Sequence, residues 1–391
     1  GYLEKLVEHQ IETFDDFTNI QIEKTINMFN PVNINSENDF DKKTGKYKLE
    51  VEINFINFRI FQPQIHENNG AAKIMFPHDA RLRNFTYSSP MTVDIHITYI
   101  IRNGDNLENT EKKNKIIENV HIGKLPIMLR SSICVLSQYK HLNNNETGEC
   151  KFDAGGYFII NGSEKTVLGQ ERAAENKIYC FPLPKSTKWS LQAEMKSVPD
   201  FKSISPKQLS IMISKKPNNY GNGLYLNVPR FKQPVPLFII FRAFNIISDK
   251  EICEYILNDC ENKEMLTFLT ASIYDANKYL TYEDAMCYIT SIVLYTPINM
   301  DASQGNKKKR AYAEDIINND IFPHCRTTMQ KKYFLGYMTK QLILCKFGMI
   351  KPTDRDSYVN KRIDSTGTLL NNLFRNYFNK VVKDTQKQVI R

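Results

Sequence analysis

The stretch that decides the fold of this chain is Gly155-Gly156-Tyr157-Phe158-Ile159-Ile160-Asn161-Gly162-Ser163-Glu164-Lys165-Thr166-Val167-Leu168. Apolar runs lie on both sides of Asn161-Gly162. This pair is favoured at the centre of a type I′ turn, because both residues of that turn need positive φ angles. The stretch therefore predicts a tight β-hairpin with Asn161-Gly162 as its turn.

Two stretches before the hairpin show the alternation of apolar and polar residues that is typical of half-buried strands. The first covers residues 47–55, and the second covers residues 93–101. Between the second strand and the next one, the charged segment 103–115 is predicted to be a solvated hairpin loop. The first part of the chain is therefore expected to be rich in β-hairpins.

The first thirty residues show a helical pattern instead. Asp15 and Asp16 are predicted to cap a helical segment that carries Phe17, Ile20 and Met28. Asp is favoured at such a position because its carboxylate accepts hydrogen bonds from the first free amides of a helix. The chain is thus expected to enter the β-rich region from a helix.

The pattern changes after the hairpin, around Pro182 and Pro184. Short strands are predicted near residues 190–196, 208–214 and 224–228. Helices are predicted at residues 237–244, 249–257, 282–294, 311–318 and 329–347, with a last long helix from residue 363 onward. The basic block Lys307-Lys308-Lys309-Arg310 is predicted to lie in a loop. The expected fold is α+β, with two mixed α/β domains, of which the second is increasingly helical.

Composition limits the class of protein. A chain of 391 residues with 41% hydrophobic residues can build two domains, and it lacks the composition of a disordered protein. The formal charge of +9 favours a polyanionic partner, and the alternative is an ordinary solvated basic surface. The eight cysteines form no C-x-x-C pair, so they are expected to be reduced thiols of an intracellular protein rather than zinc ligands.

The sequence offers no complete catalytic motif. Neither a phosphate-binding glycine loop nor the sequence patterns of serine hydrolases and zinc peptidases are present. Asp354-Arg355-Asp356 could pair two carboxylates around a metal, but residues two apart converge only in a particular loop geometry. No catalytic residue and no metal ligand is therefore predicted in this chain.

Basic and polar residues near strand and loop ends are the candidates for a binding site. Cations in such places can contact a phosphate backbone without selecting a base sequence. The alternative is that several of them pair with neighbouring carboxylates such as Glu171 or Asp356. The candidates are Arg81, Arg83, Lys124, Arg130, Lys165, Gln170, Arg172, Arg355, Lys361 and Arg362. Of these, Lys361 and Arg362 are expected to open the last helix.

The same residues resemble the second-largest, beta-type subunit of the eukaryotic-type multisubunit DNA-directed RNA polymerases. The resemblance is carried by residues 80–89, 122–131 and 155–165, by Gln170-Glu171-Arg172, and by Asp354-Arg355-Asp356 with Lys361-Arg362 and Gly367. These stretches occur in the order found in the family, and the resemblance covers almost the whole chain. The chain is expected to be an N-terminal fragment of a longer polypeptide.

The resemblance implies a domain plan. Residues 1–178 would form the first part of a discontinuous protrusion domain, residues 179–362 a lobe, and residues 363–391 a helix leading back to the protrusion. In the family these domains form one wall of the DNA cleft. The chain alone would be inactive, while the whole enzyme would make RNA from ribonucleoside triphosphates on a DNA template.

The resemblance also implies partners and cofactors. The partners would be template DNA, the RNA–DNA hybrid, the largest subunit, the smaller subunits and initiation factors, without a membrane. No cofactor is expected in this fragment. The catalytic magnesium of the family is held mainly by the largest subunit, and its zinc lies in a later region. Two alternatives are a split or free-standing DNA-binding scaffold and an independent hydrolase.

Departures from the cellular pattern concern the source. Ala154 stands where proline is usual, Glu175 where glycine is usual, and Pro352-Thr353 where an acidic lead-in is usual. The run 352–358 resembles polymerases of large nucleocytoplasmic DNA viruses. The expected location is the nucleus for a cellular protein, and the virion or a cytoplasmic viral factory for a viral one.

Overall fold

The computed structural model describes residues 2–41, 43–202, 204–296 and 302–390. Its helices are α1 (Tyr2–Asp16), α2 (Ile22–Phe29), α3 (Pro77–Leu82), α4 (Val135–Gln138), α5 (Asn144–Thr147), α6 (Leu237–Ala243), α7 (Asp249–Leu257), α8 (Lys263–Asp275), α9 (Tyr282–Ile292), α10 (Ala302–Asp315), α11 (Thr328–Lys346) and α12 (Thr366–Ile390). Short π-helical segments follow α1 at Phe17–Gln21 and α10 at Ile316–Asp320. No helix of these ranges is both long and apolar enough to cross a lipid bilayer.

The strands are short except for three. They are β1 (Val32–Asn35), β2 (Phe40–Asp41), β3 (Lys46–Tyr47), β4 (Leu49–Ile60), β5 (Gln64–His66), β6 (Ala72–Ile74), β7 (Ser88–Asn103), β8 (Asn109–Pro126), β9 (Phe158–Ile160), β10 (Ser163–Lys165), β11 (Gln170–Ala173), β12 (Tyr179–Pro182), β13 (Trp189–Ser197), β14 (Lys207–Ser214), β15 (Leu224–Asn227), β16 (Val235–Pro236) and β17 (Lys361–Asp364). The mixture of helices and small antiparallel sheets confirms the predicted α+β class.

The chain divides into two compact units. The first unit consists of Gly1–Arg172 and Ile363–Arg391, and the second unit is Ala173–Arg362. The limits predicted from the sequence lie at residues 178 and 362. The two limits of the units fall inside strands β11 and β17.

The first unit is built on an antiparallel sheet of order β1-β4-β7-β8. The predicted alternation is confirmed, because Val51, Ile53 and Phe55 of β4 are buried. They belong to one core with Phe14 of α1 and Phe378 of α12. The buried face of the sheet thus packs on helices from both ends of the chain.

Two local predictions in the first unit need correction. The loop predicted at 103–115 is shorter, since only residues 104–108 connect β7 to β8. From Asn109 onward the segment is strand β8, which pairs with β7 through Lys112↔Ile100 and exposes its charged side chains. Asp16 does not cap a helix, since its φ and ψ angles are helical and its side chain accepts no capping hydrogen bond. Asp15 instead accepts a hydrogen bond from the Ser132 amide at 2.8 Å.

The predicted hairpin is confirmed. Ile160 pairs with Ser163, and the turn residues Asn161 and Gly162 have φ angles of 50° and 80°. Phe158 of β9 is buried in the core of the first unit. The hairpin is therefore fixed to the core by one strand, while the side chains of the other strand, β10, are exposed.

The second unit consists of a five-stranded antiparallel sheet, β12 to β16 in sequential order, and helices α6 to α11. The three predicted strands and the five predicted helices are confirmed, but α8 was not predicted. The basic block Lys307–Arg310 lies within α10, so its assignment to a loop is wrong. A run of exposed charges is compatible with a helix that buries small residues such as Gly305 and Ala313.

The last helix begins later than predicted. Lys361 and Arg362 lie in strand β17, and α12 starts at Thr366. The Thr366 hydroxyl donates to the side-chain oxygen of Gln10 at 2.5 Å. At Gly367, an added Cβ would collide with the Thr13 carbonyl, so the backbones of α12 and α1 are in close contact. Tertiary packing on α1 therefore decides where this helix begins.

Candidate nucleic-acid interface

Arg81, at the end of α3, is engaged inside the first unit. It donates to Glu149 and Glu164, each at 2.8 Å, and to the Tyr157 hydroxyl at 2.6 Å. Its side chain is 20% exposed. Burial opposes the charge, but the hydrogen bond and the charge of Glu149 outweigh it and raise the pKa of Arg81. Arg81 thus ties α3 to the hairpin strand that carries Glu164.

Arg83 is also paired. Its guanidinium donates to both oxygens of Glu67, at 2.8 and 3.2 Å, and it lies 4.7 Å from the centre of the Phe85 ring. The hydrogen bond from Arg83 is the main reason why the pKa of Glu67 is lowered. A bidentate pair of this kind fixes the orientation of both side chains.

Arg172 joins β11 to β17 in the first unit. Its Nε donates to both carboxylate oxygens of Asp364 at 2.9 Å. Gln170, two residues earlier, is exposed. Lys361 is half-buried, while the exposed Arg362 donates to the Lys361 carbonyl at 2.8 Å. The structure thus gives Arg172 a structural role in addition to the binding role expected from the sequence.

Lys165 and Lys124 differ from these arginines. Both side chains are exposed, and neither forms an ion pair within the described residues. Lys165 lies on β10 opposite the buried Phe158 of β9. Lys124 lies on β8 opposite Pro90. Each lysine therefore lies on a strand of fixed position and has a charge that is available to a binding partner.

Arg130 follows β8 and is half-buried with a φ of 64°. Gly155 packs against it, because a Cβ added to Gly155 would lie 2.5 Å from the Leu129 carbonyl oxygen and 2.9 Å from the Arg130 Cβ. The turn before the hairpin is therefore in contact with the backbone that positions Arg130.

In the second unit, Arg355 is exposed and its guanidinium lies 4.0 Å from the centre of the Phe181 ring. The Asp354 carboxylate accepts a hydrogen bond from the Asp356 amide at 2.9 Å, which is a local turn. No group of three or more His, Cys, Asp or Glu side chains that could hold a metal ion occurs among residues 2–41, 43–202, 204–296 and 302–390.

Carboxylate pairing, the alternative named from the sequence, thus applies to Arg81, Arg83 and Arg172. The partners are distant in the chain: Glu149 lies 68 residues from Arg81, and Asp364 lies 192 residues from Arg172. No local pattern could have identified them. What the sequence could identify was the hairpin that carries Lys165.

The fold defines the class of protein: an α+β chain in which a second unit is inserted between the two parts of the first. A family model described as "RNA polymerase beta subunit" matches residues 5–391. The chain belongs to this family, as the motif stretches of its sequence indicated.

Curated relatives agree with this assignment. The chain is 33% identical to DNA-directed RNA polymerase II subunit 2 of Arabidopsis thaliana over 98% of its own length, and it spans 32% of that relative. It is 30% identical to DNA-directed RNA polymerase subunit Rpo2N of Methanothermobacter thermautotrophicus over 99% of its length, and it spans 72% of that relative. For Rpo2N of Methanococcus vannielii the identity is 32%, again over 72% of the relative. The chain thus spans about a third of the polymerase II relatives and most of the archaeal ones.

Proposed function

We propose that this chain forms part of the DNA-cleft wall of a DNA-directed RNA polymerase. The whole enzyme would copy DNA into RNA from ribonucleoside triphosphates, and this part would hold nucleic acid without carrying out the chemistry. Residues 1–178 and 363–391 would belong to the protrusion, and residues 179–362 would form the lobe. Family membership over residues 5–391 supports the class of enzyme.

The observation that carries the binding role is the exposure of Lys165 on a fixed hairpin. Its charge is not neutralised by a carboxylate within the described residues, whereas Arg81 beside the hairpin is. A lysine in this state can neutralise a phosphate and release a condensed counterion, which gives salt-dependent and sequence-tolerant affinity. The paired arginines Arg81, Arg83 and Arg172 would act mainly by positioning strands. Lys124, Arg130 and Gln170 would be further contacts from the first unit. Arg355, Lys361 and Arg362 would be separate contacts from the second unit.

The proposed partners are template DNA, the RNA–DNA hybrid, the largest subunit, the smaller subunits and initiation factors. The catalytic magnesium would be held mainly by the largest subunit, and the family's zinc by a region that follows this one in the longer relatives. The protein would act in the nucleus if its source is cellular, and in the virion or a cytoplasmic viral factory if its source is viral.

The experiment that tests the binding role measures the salt resistance of an elongation complex assembled with this chain. Lys165→Gln is expected to lower the salt concentration at which half of the DNA is released, equally for templates of different sequence. The combined Lys165→Gln and Arg172→Gln variant is expected to lower it further. Lys112→Gln is the matched control, because Lys112 is an exposed lysine on strand β8 of the same unit. Unchanged salt resistance in the double variant would refute the binding role.

A second candidate is a split subunit or a free-standing DNA-binding scaffold. Its basis is the similarity to Rpo2N of Methanothermobacter thermautotrophicus, which is 30% identical over 99% of this chain. An antibody to this segment, applied to an extract of the source, separates the candidates. A polypeptide several times larger than 45.5 kDa that travels with RNA-synthesising activity supports the long subunit. A shorter polypeptide that copurifies with the RNA-synthesising activity supports a split subunit. A shorter polypeptide that does not copurify with this activity supports the scaffold.

A further inference from the structure

We infer that a cavity beside Lys124 in the first unit binds one phosphodiester group of a nucleic-acid backbone. This inference rests on the proposed function, and it adds a cavity and its lining to Lys124, which the sequence had named as a binding candidate. The cavity has a volume of 560 Å³. It is lined by Gln64, Ile65, His66, Met75, Phe85, Thr86, Ser88, Pro90, His121 and Lys124.

A β-bulge brings Lys124 and His121 to the same side of the sheet. Side chains alternate along a strand, so two residues three apart would ordinarily point to opposite faces. Here Gly123 pairs with Met91 and His121 pairs with Thr92, which leaves one extra residue on β8 between these pairs. The extra residue shifts the alternation by one, as bulges next to binding sites commonly do.

The partner strand agrees with this geometry. Ser88 and Pro90 of β7 line the cavity, while the alternating residues Ser89 and Met91 are buried on the opposite face. Lys124 pairs with Pro90 in the register of the sheet, so it lies on the cavity side. The cavity therefore has a floor fixed by two long paired strands.

The chemistry of the lining suits an anion. Lys124 carries a positive charge, His66 and His121 can donate from their ring nitrogens, and Gln64 can donate from its amide. None of the ten lining residues is Asp or Glu. The Glu67 carboxylate, next to His66 in the chain, is already bonded to Arg83 at 2.8 Å and paired with Lys73 at 3.4 Å.

A nucleic-acid backbone is favoured as the source of the anion because the cavity is connected to the hairpin. The hydroxyl of Thr86, which lines the cavity, donates to the Asn161 side chain at 3.2 Å and accepts from the Asn161 amide at 3.1 Å. Asn161 is the first turn residue of the hairpin that carries Lys165. Lys124 at the cavity and Lys165 on the hairpin are thus held by structural elements that are hydrogen-bonded to each other, and both can contact phosphates.

The test uses the full 391-residue chain and a fluorescent duplex oligonucleotide, with affinity measured over a range of salt concentrations. For one phosphate contact, the slope of log affinity against log salt changes by about 0.9, so its loss costs about eight-fold in affinity near 0.1 M salt. Lys124→Gln is expected to show this change, and Lys124→Arg is expected to retain most of the affinity. Lys112→Gln is the control, since Lys112 lies on the same strand roughly 40 Å away.

A second measurement tests whether the cavity holds a shared phosphate. If His121 and Lys124 contact the same group, His121→Gln should weaken binding in the native chain but have little further effect in Lys124→Gln. Fully additive losses of affinity in the His121→Gln and Lys124→Gln double variant would refute the shared site. Equal losses of affinity in Lys124→Gln and Lys112→Gln would refute it as well. If Lys165→Gln lowers the affinity for the duplex and Lys124→Gln does not, the cavity site is refuted and the proposed function stands. Full affinity in both variants overturns the two together.

Discussion

The hairpin turn provides the sharpest test of how the site is positioned. Gly162 has a φ of 80°, and a Cβ added to it would lie 2.5 Å from the Asn84 side-chain oxygen and 2.9 Å from the Asn84 Cα. The side-chain oxygen could move, but the Asn84 Cα belongs to the backbone. Gly162→Ala should therefore force the hairpin turn away from the Asn84 backbone.

The magnitude follows from two costs. A left-handed conformation costs an L residue about 1–2 kcal/mol, and overpacking against a fixed backbone adds about 1–3 kcal/mol. Gly70→Ala is the matched control in the same unit, because Gly70 has a φ of 82° and nothing within 4 Å of the added Cβ. Only the first cost applies there. The effect on the unfolded chain is the same for both variants, so the difference between them isolates the contact with Asn84.

The assay is native-state hydrogen exchange of the peptides that cover residues 155–168. We expect faster exchange in Gly162→Ala than in Gly70→Ala, by a factor that corresponds to about 1–3 kcal/mol. Because the hairpin carries Lys165, Gly162→Ala should also weaken duplex binding, and Gly70→Ala should not. Equal exchange in the two variants would refute the argument that the turn is held by its contact with Asn84.

Two further predictions concern ion pairs and burial. Arg172→Ala and Asp364→Asn should each lower the free energy of unfolding of the first unit by about 1–3 kcal/mol, and the double variant should lose less than the sum, because the two side chains share one pair; additive losses measured by urea unfolding would contradict this. Burial lowers the pKa of Lys331 in α11 to about 8. The unfolded chain, with a lysine pKa of about 10.4, then binds more protons between these values, so unfolding should cost up to roughly 3 kcal/mol more at pH 10.4 than at pH 8. Lys331→Met should lack this rise when unfolding is followed by the fluorescence of Trp189, the single tryptophan, and an unchanged rise would contradict the burial argument.

Local sequence determined the elements whose cause is local. The Asn161-Gly162 turn, the alternation in β4, and the strands β13, β14 and β15 of the second unit each depend on residues close together in the chain, and each was predicted. The motif stretches likewise sufficed for the family, since the family model matches nearly the whole chain. Turn preference and side-chain alternation are properties of neighbours, so a single sequence can reveal them.

Charge alone does not indicate secondary structure where a partner strand or helix decides it. Segment 103–115 is polar enough for a loop, yet its backbone groups are paired with β7 over most of that length. The block Lys307–Arg310 is part of α10, which buries Gly305 and Ala313, and Lys361-Arg362 belongs to strand β17 rather than to a helix. Polar side chains do not prevent regular structure when their own face is solvated.

The candidate site shows the same division. The sequence by itself determined which residues are basic, which hairpin carries Lys165 and which family the chain resembles. Only the tertiary structure decided that Arg81 and Arg172 are held by Glu149 and Asp364, while Lys165 remains open to a partner. The physical reason is that ion pairing and cavity lining depend on distances between residues far apart in the chain, and local preferences carry no information about those distances.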